Sequence, residues 1–284
     1  SATQLRYGAA AVDRVYDDLL PATSAADLPR EMPPAMCMTC GFRLDAVSYQ
    51  YPKAETVGLQ NITLEIKAGE KIGIVGSTGA GKTTLVDIIL GLLKPQSGQL
   101  LVDGEPVTDK NLRSWQQSVG YVPQDIFLTD ASISQNIALG VRVEEVDMAR
   151  VRRSAKIAQL DEFICQELTE GYDTGVGERG VRLSGGQRQR IGIARALYHR
   201  ADLIVFDEAT SALDNLTERD VMSAINGLPG EKTIVIIAHR LSTVAACDRI
   251  VVLDKGQIVG LGDWNELMEN NASFQKIARV SETA

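Results

Sequence analysis

The stretch GSTGAGKT at residues 76–83 constrains the chain more than any other, because it spells G-x-x-x-x-G-K-S/T and makes demands on its neighbours. Before it, KIGIV (residues 71–75) is a short continuous apolar run, the pattern of a strand buried on both faces. After it, Leu85, Ile88, Ile89, Leu92 and Leu93 recur at helical spacing, a stripe that stops before Pro95. Strand, glycine loop and helix make one half of a β-α-β unit. Gly76, Gly79 and Gly81, with Ser77, Thr78 and Ala80 between them, let successive backbone N–H groups curl around an anion at the positive end of a helix. Lys82 adds a full positive charge, and Thr83, followed by Thr84, offers a hydroxyl to Mg²⁺. A chance match in 284 residues is on the order of 1% at average glycine usage, so the anion expected is the phosphate chain of a nucleotide.

Further apolar runs at residues 203–206, 233–238 and 250–253, separated by helical stretches, predict a mostly parallel α/β sheet. Ahead of the glycine loop, NITLEIK (61–67) alternates, with Ile62, Leu64 and Ile66 apolar, which predicts a half-buried antiparallel sheet. Residues 132–170 lack a comparable strand and read as an inserted helical subdomain, about 126–195 in extent. DKG at 254–256 before QIV predicts a hairpin.

Residues 1–40 read as a tail and linker. Val12, Val15, Tyr16 and Leu19 mark a short amphipathic helix at 9–20, and Pro21, Pro29, Pro33 and Pro34 then interrupt regular structure. Cys37 and Cys40 have the spacing of half a zinc site, but no second pair follows at a suitable distance. Four cysteines make no disulfide framework and fit a reducing, cytosolic setting. The 29 basic against 37 acidic residues give a net charge of -8, which argues against binding a nucleic-acid backbone. No apolar run of about 18 residues is present to cross a bilayer.

Two further constellations carry chemistry. LIVF (203–206) runs into Asp207 and Glu208, paired acids at the end of a buried strand. Asp207 is expected to hold Mg²⁺ through water, and Glu208 to act as general base on the attacking water. LSGGQ (183–187) opens a helical stretch, and its Ser184, Gly185 and Gly186, followed by Gln187, form a second anion site. Two phosphate grips require two nucleotides or two chains.

With these motifs in order, the sequence resembles the ATP-binding cassette family over roughly residues 42–280. The resemblance implies a P-loop NTPase (RecA-like) α/β fold: a mostly parallel core sheet with an antiparallel β subdomain and an inserted helical subdomain, residues 41–284 being the nucleotide-binding domain. It implies ATP and Mg²⁺, and a head-to-tail dimer in which Ser184 and Gly186 of one copy close on the γ-phosphate held by Lys82 of the other. Tyr51, with Tyr49 as alternative, resembles the adenine-stacking aromatic, and Gln124 the glutamine that reaches Mg²⁺ and the attacking water. Asp214 resembles the residue of a loop crossing the dimer interface, and His239 the switch histidine that contacts the γ-phosphate. His199 reads as a surface residue at a helix end. TGVGERG (174–180) is similar to the loop by which exporter cassettes touch their membrane domain. A chain beginning at Ser1 with such a tail is therefore expected to be cut from a longer transporter. The implied partners are a second copy and a transmembrane domain, with no nucleic acid, and the implied place is the cytoplasmic face of a membrane. The run 114–130 is similar to cassettes of exporters that flip lipid-linked saccharides. An importer subunit and a soluble cassette protein are the alternatives.

Overall fold

The strand β7 (Leu203–Asp207) shows how the domain is layered. Leu203 and Val205 face one core, whereas Ile204 and Phe206 face another, and all four are fully buried. A strand covered on both sides must be apolar at successive positions, which is why this run does not alternate. The computed structural model describes residues 33–52, 58–208, 215–227, 232–238 and 240–282. The predicted helix at 9–20, Asp214 and His239 lie outside the described residues. All that follows concerns the unit Ala35–Ala284.

The other strands are β1 (Gly41–Tyr49), β2 (Leu59–Lys67), β3 (Lys71–Gly76), β4 (Ser97–Val102), β5 (Glu105–Pro106), β6 (Val119–Val122), β8 (Thr233–Ile237), β9 (Arg249–Asp254) and β10 (Gln257–Gly262). The helices are α1 (Lys82–Ile89), α2 (Leu112–Ser118), α3 (Ile133–Ile137), α4 (Met148–Ile157), α5 (Asp161–Glu167), α6 (Gly185–Tyr198), α7 (Asn215–Asn226), α8 (Leu241–Val244), α9 (Trp264–Asn270) and α10 (Ala272–Glu282). A six-stranded sheet in the order β10-β9-β3-β8-β7-β6 is parallel except for β10, and a four-stranded antiparallel sheet runs β2-β1-β4-β5. One core lies between the two sheets and includes α1 and Trp115; the other lies under α3 to α6 and the C-terminal helices. The alternation predicted at 61–67 is observed, with Ile62, Leu64 and Ile66 facing inward.

Two boundaries differ from the sequence reading. The stripe through Leu92 and Leu93 predicts a helix reaching 93, yet α1 ends at Ile89 and Leu92 is 63% exposed. Gly91 takes φ 67, its N–H donates to Ile88 O and that of Leu92 donates to Asp87 O. These two bonds form a Schellman stop that satisfies the terminal carbonyls at a residue free to be left-handed. Trp115 Nε1 caps Ile89 O at 2.7 Å. Residues 36–40 of the expected linker, in turn, are strapped to the domain. Met36 N–H donates to Ser114 O, Met38 is buried, and the N–H groups of Thr39, Cys40 and Gly41 all donate to the Asp103 carboxylate.

The two sheets are joined by the turn between β2 and β3. Glu70 accepts two bonds from Arg249 at the start of β9, at 2.5 and 2.9 Å, and its side chain is only 10% exposed. Burial works to raise the Glu70 pKa, but the hydrogen bonds from Arg249 and from the Lys67 N–H outweigh it and hold it below the usual carboxylate value. A depressed carboxylate adds stability above its ordinary pKa and loses it as pH falls through the folded value. Glu70→Gln is therefore expected to destabilise the domain by about 1–2 kcal/mol near pH 7, since Arg249 stays partly solvated. Urea denaturation at pH 7 and below pH 4.5 checks this, the gap between variant and parent closing on the acid side.

Candidate nucleotide-binding site

The glycine loop follows β3 and leads into α1, as its local pattern requires. Gly81 precedes the helix at φ 103, with no side-chain cap, so the first turn of α1 keeps its N–H groups available to an anion. Ser77, Thr78 and Gly79 form an exposed lip, whereas Ala80 is buried beneath it. Lys82 is only 6% exposed. Its Nζ donates to Gly76 O at 2.9 Å and Ser77 O at 3.2 Å, so the ammonium curls back over the loop. Burial lowers its pKa, while Glu208 and Asp207 pull it back up. That opposition places the cation of α1 in the field of both acids at the end of β7. Thr83 is exposed on the same first turn, and Thr84 is turned inward, its hydroxyl 3.4 Å from that of Tyr51.

β7 delivers the acids through its neighbours. Asp207 sits at the strand's last position, paired in register with Ile237 of β8. Glu208 follows with φ 51, left-handed backbone that is costly for a side chain with a Cβ, by about 1–2 kcal/mol. Its N–H donates to Ile237 O at 3.0 Å, which holds it there. Tyr121 is not among the expected site residues; its hydroxyl donates to Asp207 Oδ2 at 2.9 Å from the adjacent strand β6. Burial, then the charge of Asp207 and the bond to it, push the Tyr121 pKa well above its ordinary value, so the phenol stays protonated. Asp87, half-buried on α1, is raised by burial and by Asp207. The pattern could have shown Tyr121: it lies one residue before buried Val122 on a strand leading to the expected Gln124.

Gln124 lies just beyond β6, and its side chain is exposed. Its backbone carbonyl accepts from Gln189 Nε2 of α6 at 2.6 Å, so the segment after β6 is tied to the helix that follows LSGGQ. Ser184 is the N-cap of α6, accepting from the Gln187 N–H, while Gln187 Oε1 accepts from the Ser184 N–H. This capping box leaves Gly185 and Gly186 in the first turn of a 14-residue helix. Gln187 is thus engaged with Ser184, a role the sequence reading did not give it. Tyr51 is 41% exposed and stands edge-on to Tyr49, ring centroids 5.1 Å apart. His199 caps the other end of α6, its Nε2 3.0 Å from Leu139 O.

The fold thus brings together Lys82, Asp207, Glu208, Asp87 and Tyr121, with Thr83 and Gln124 on the flanking elements. The donor set of Thr83 hydroxyl, Asp207 carboxylate and Gln124 amide is all oxygen, which fits a hard cation such as Mg²⁺ and no thiophilic metal. Among the described residues no hydrogen bond joins Ser184, Gly185 or Gly186 to the glycine loop of the same chain.

These features define a nucleotide-binding domain of the phosphate-loop class, with α/β core, β subdomain and helical insert. The sequence profile of the family described as ABC transporter matches residues 59–211, and the chain belongs to that family. It is 42% identical over 239 residues to an ATP-dependent lipid A-core flippase of Ralstonia nicotianae, covering 84% of this chain and 40% of that protein. It is 45% identical over 224 residues to a β-(1→2)glucan export ATP-binding/permease protein of Rhizobium meliloti, covering 79% of this chain and 38% of that one. The solved structure of a bacterial Atm1-family ABC exporter with ATP bound superposes with a TM-score of 0.78 at 36% identity, over 91% of this chain and 44% of that chain. The chain thus spans about two fifths of the length of the curated relatives it matches, and it is similar to the ATP-binding part of exporters. No helix among the described residues is long and apolar enough to cross a membrane.

Proposed function

We propose that this chain is the ATP-hydrolysing motor of an ABC exporter, working as a head-to-tail pair at the cytoplasmic face of a membrane alongside a transmembrane domain. The observation that carries the reading is Lys82 held over the phosphate loop by Gly76 O and Ser77 O, in the domain whose core sheet also carries Asp207 at the end of β7 with Glu208 next after it. A cation and paired acids carried on one sheet suit a triphosphate whose terminal bond is to be cleaved.

In this reading the N–H groups from Gly76 to Thr84 and the Lys82 ammonium bind the β- and γ-phosphates, and Tyr51 stacks on the adenine. Thr83, Gln124 and Asp207 are the groups that would hold Mg²⁺, which when bound neutralises charge developing on the phosphate oxygens. Glu208 orients the attacking water and takes its proton at a carboxylate oxygen. His239 contacts the γ-phosphate. Ser184, Gly185 and Gly186 of the second copy supply N–H and hydroxyl donors from the start of α6, with Gln187 keeping Ser184 in place and Asp214 at the interface. Loss of the γ-phosphate removes those donors' partner and lets the pair open.

The trans arrangement is supported by the lack, among the described residues, of any hydrogen bond from Ser184, Gly185 or Gly186 to the glycine loop of the same chain. Turnover per chain is therefore expected to rise steeply with protein concentration, together with ATP-dependent dimers in sedimentation. Constant turnover in a protein that stays monomeric with ATP refutes the composite site.

The cargo proposed is a lipid-linked saccharide, supported by the flippase and glucan-export relatives. Flipping of lipid-linked glycans by the full transporter in vesicles tests it; movement of an unrelated peptide or drug alone rejects it. The exporter-like stretch at 174–180 and the exporter relatives favour this over an importer subunit or a soluble cassette protein.

A further inference from the structure

We propose that Tyr121 is a positioning residue for the metal site, its hydroxyl fixing the direction in which Asp207 presents its carboxylate. The inference rests on the Mg²⁺·ATP reading above and adds to it a residue outside the motifs. Tyr121 and Asp207 stand on neighbouring parallel strands, Tyr121 level with Val205, so the ring must reach two residues along β7 to meet the carboxylate. It does so while 41% exposed, so core packing does not account for its direction.

A carboxylate has two oxygens and rotates freely unless one is engaged. The Tyr121 hydroxyl engages Oδ2, which limits how the carboxylate can turn about its Cβ–Cγ bond. Partners behind a metal-binding group commonly matter almost as much as the group itself, because they set its angle before the ion arrives. The placement has a second effect. β6 continues through Val122 into the segment bearing Gln124, another expected Mg²⁺ contact, so the one hydroxyl also links the two elements that flank the ion.

The test uses Mn²⁺ as an electron-paramagnetic probe, with ADP, on the parent chain and on Tyr121→Phe and Tyr121→Leu. Free Mn²⁺ is counted from its solution spectrum. Both variants are expected to need about tenfold more Mn²⁺ for half-saturation. Their affinity for ADP without divalent ion, measured by fluorescence with a labelled nucleotide, is expected to stay within about twofold, since the hydroxyl addresses the ion and not the phosphates. Equal Mn²⁺ affinity in parent and Tyr121→Phe overturns the inference and leaves the nucleotide reading intact. Loss of metal-free ADP binding in proportion also overturns it, because Tyr121 would then be shaping the loop generally. Failure of the parent itself to take up Mn²⁺ with ADP overturns both.

Discussion

Glu208→Gln is expected to lower ATP turnover by about 10²- to 10⁴-fold while ATP still binds. The amide is nearly the shape of the carboxylate, and the backbone that carries it is set by other means: the bond from the Glu208 N–H to Ile237 O and the end of β7 do not depend on the side chain. What disappears is the group able to take a proton from water. Since binding and dimer closure come from the loop and from α6, the variant should accumulate as an ATP-loaded pair, visible by size exclusion with ATP and absent with ADP. Turnover within about threefold of the parent would remove Glu208 as base and return attention to Gln124 and His239.

Lys82→Ala is expected to weaken ATP binding by about 100-fold. An ammonium between two phosphates makes charge-assisted bonds of about 1.5–3 kcal/mol in total, and 1.4 kcal/mol is tenfold in affinity. Lys82 is positioned before any ligand arrives: it is 6% exposed and held on Gly76 O and Ser77 O. The same enclosure predicts that Lys82→Arg rescues poorly, because a planar guanidinium is larger and cannot turn its donors as an ammonium does. Isothermal titration with ATP reads both variants, and an unchanged Kd in Lys82→Ala would mean that the loop's N–H groups alone hold the phosphates.

The parts of the site that were legible in the sequence are those built from neighbours in the chain. The glycine loop, its strand and the start of its helix are fixed by eight consecutive residues and their flanks. The acids at 207 and 208 could be found because a strand buried on both faces has to end somewhere polar. What escaped notice depends on register between distant segments. Tyr121 meets Asp207 only because β6 and β7 pair as they do, and Glu70, just before β3, meets Arg249 only because β3 pairs with β9 with Ile72 level with Arg249. The left-handed turn at Glu208 has no signature either, since glutamate seldom adopts it and the surrounding fold imposes it. The end of α1 misled for another reason: Leu92 continues the apolar stripe in spacing, but Gly91 turns the chain before it. The donors of LSGGQ are visible as residues, whereas the partner they serve is a matter of assembly.

Three glycines meet behind the phosphate loop. A Cβ on Gly81 would lie 2.7 Å from Gly58 O, and one on Gly256, in the β9–β10 hairpin, would lie 2.7 Å from the same oxygen. Gly256 N–H donates to Ala80 O at 2.9 Å, and Gln60 N–H donates to Gly256 O at 2.8 Å. The hairpin tip performs no chemistry, yet it works as a keystone: a single methyl or an inserted residue there would be felt as a displaced anion cradle at the far end of the sequence. A scan for sites that accept tags or new loops should find that tip closed, for reasons of masonry and not of catalysis.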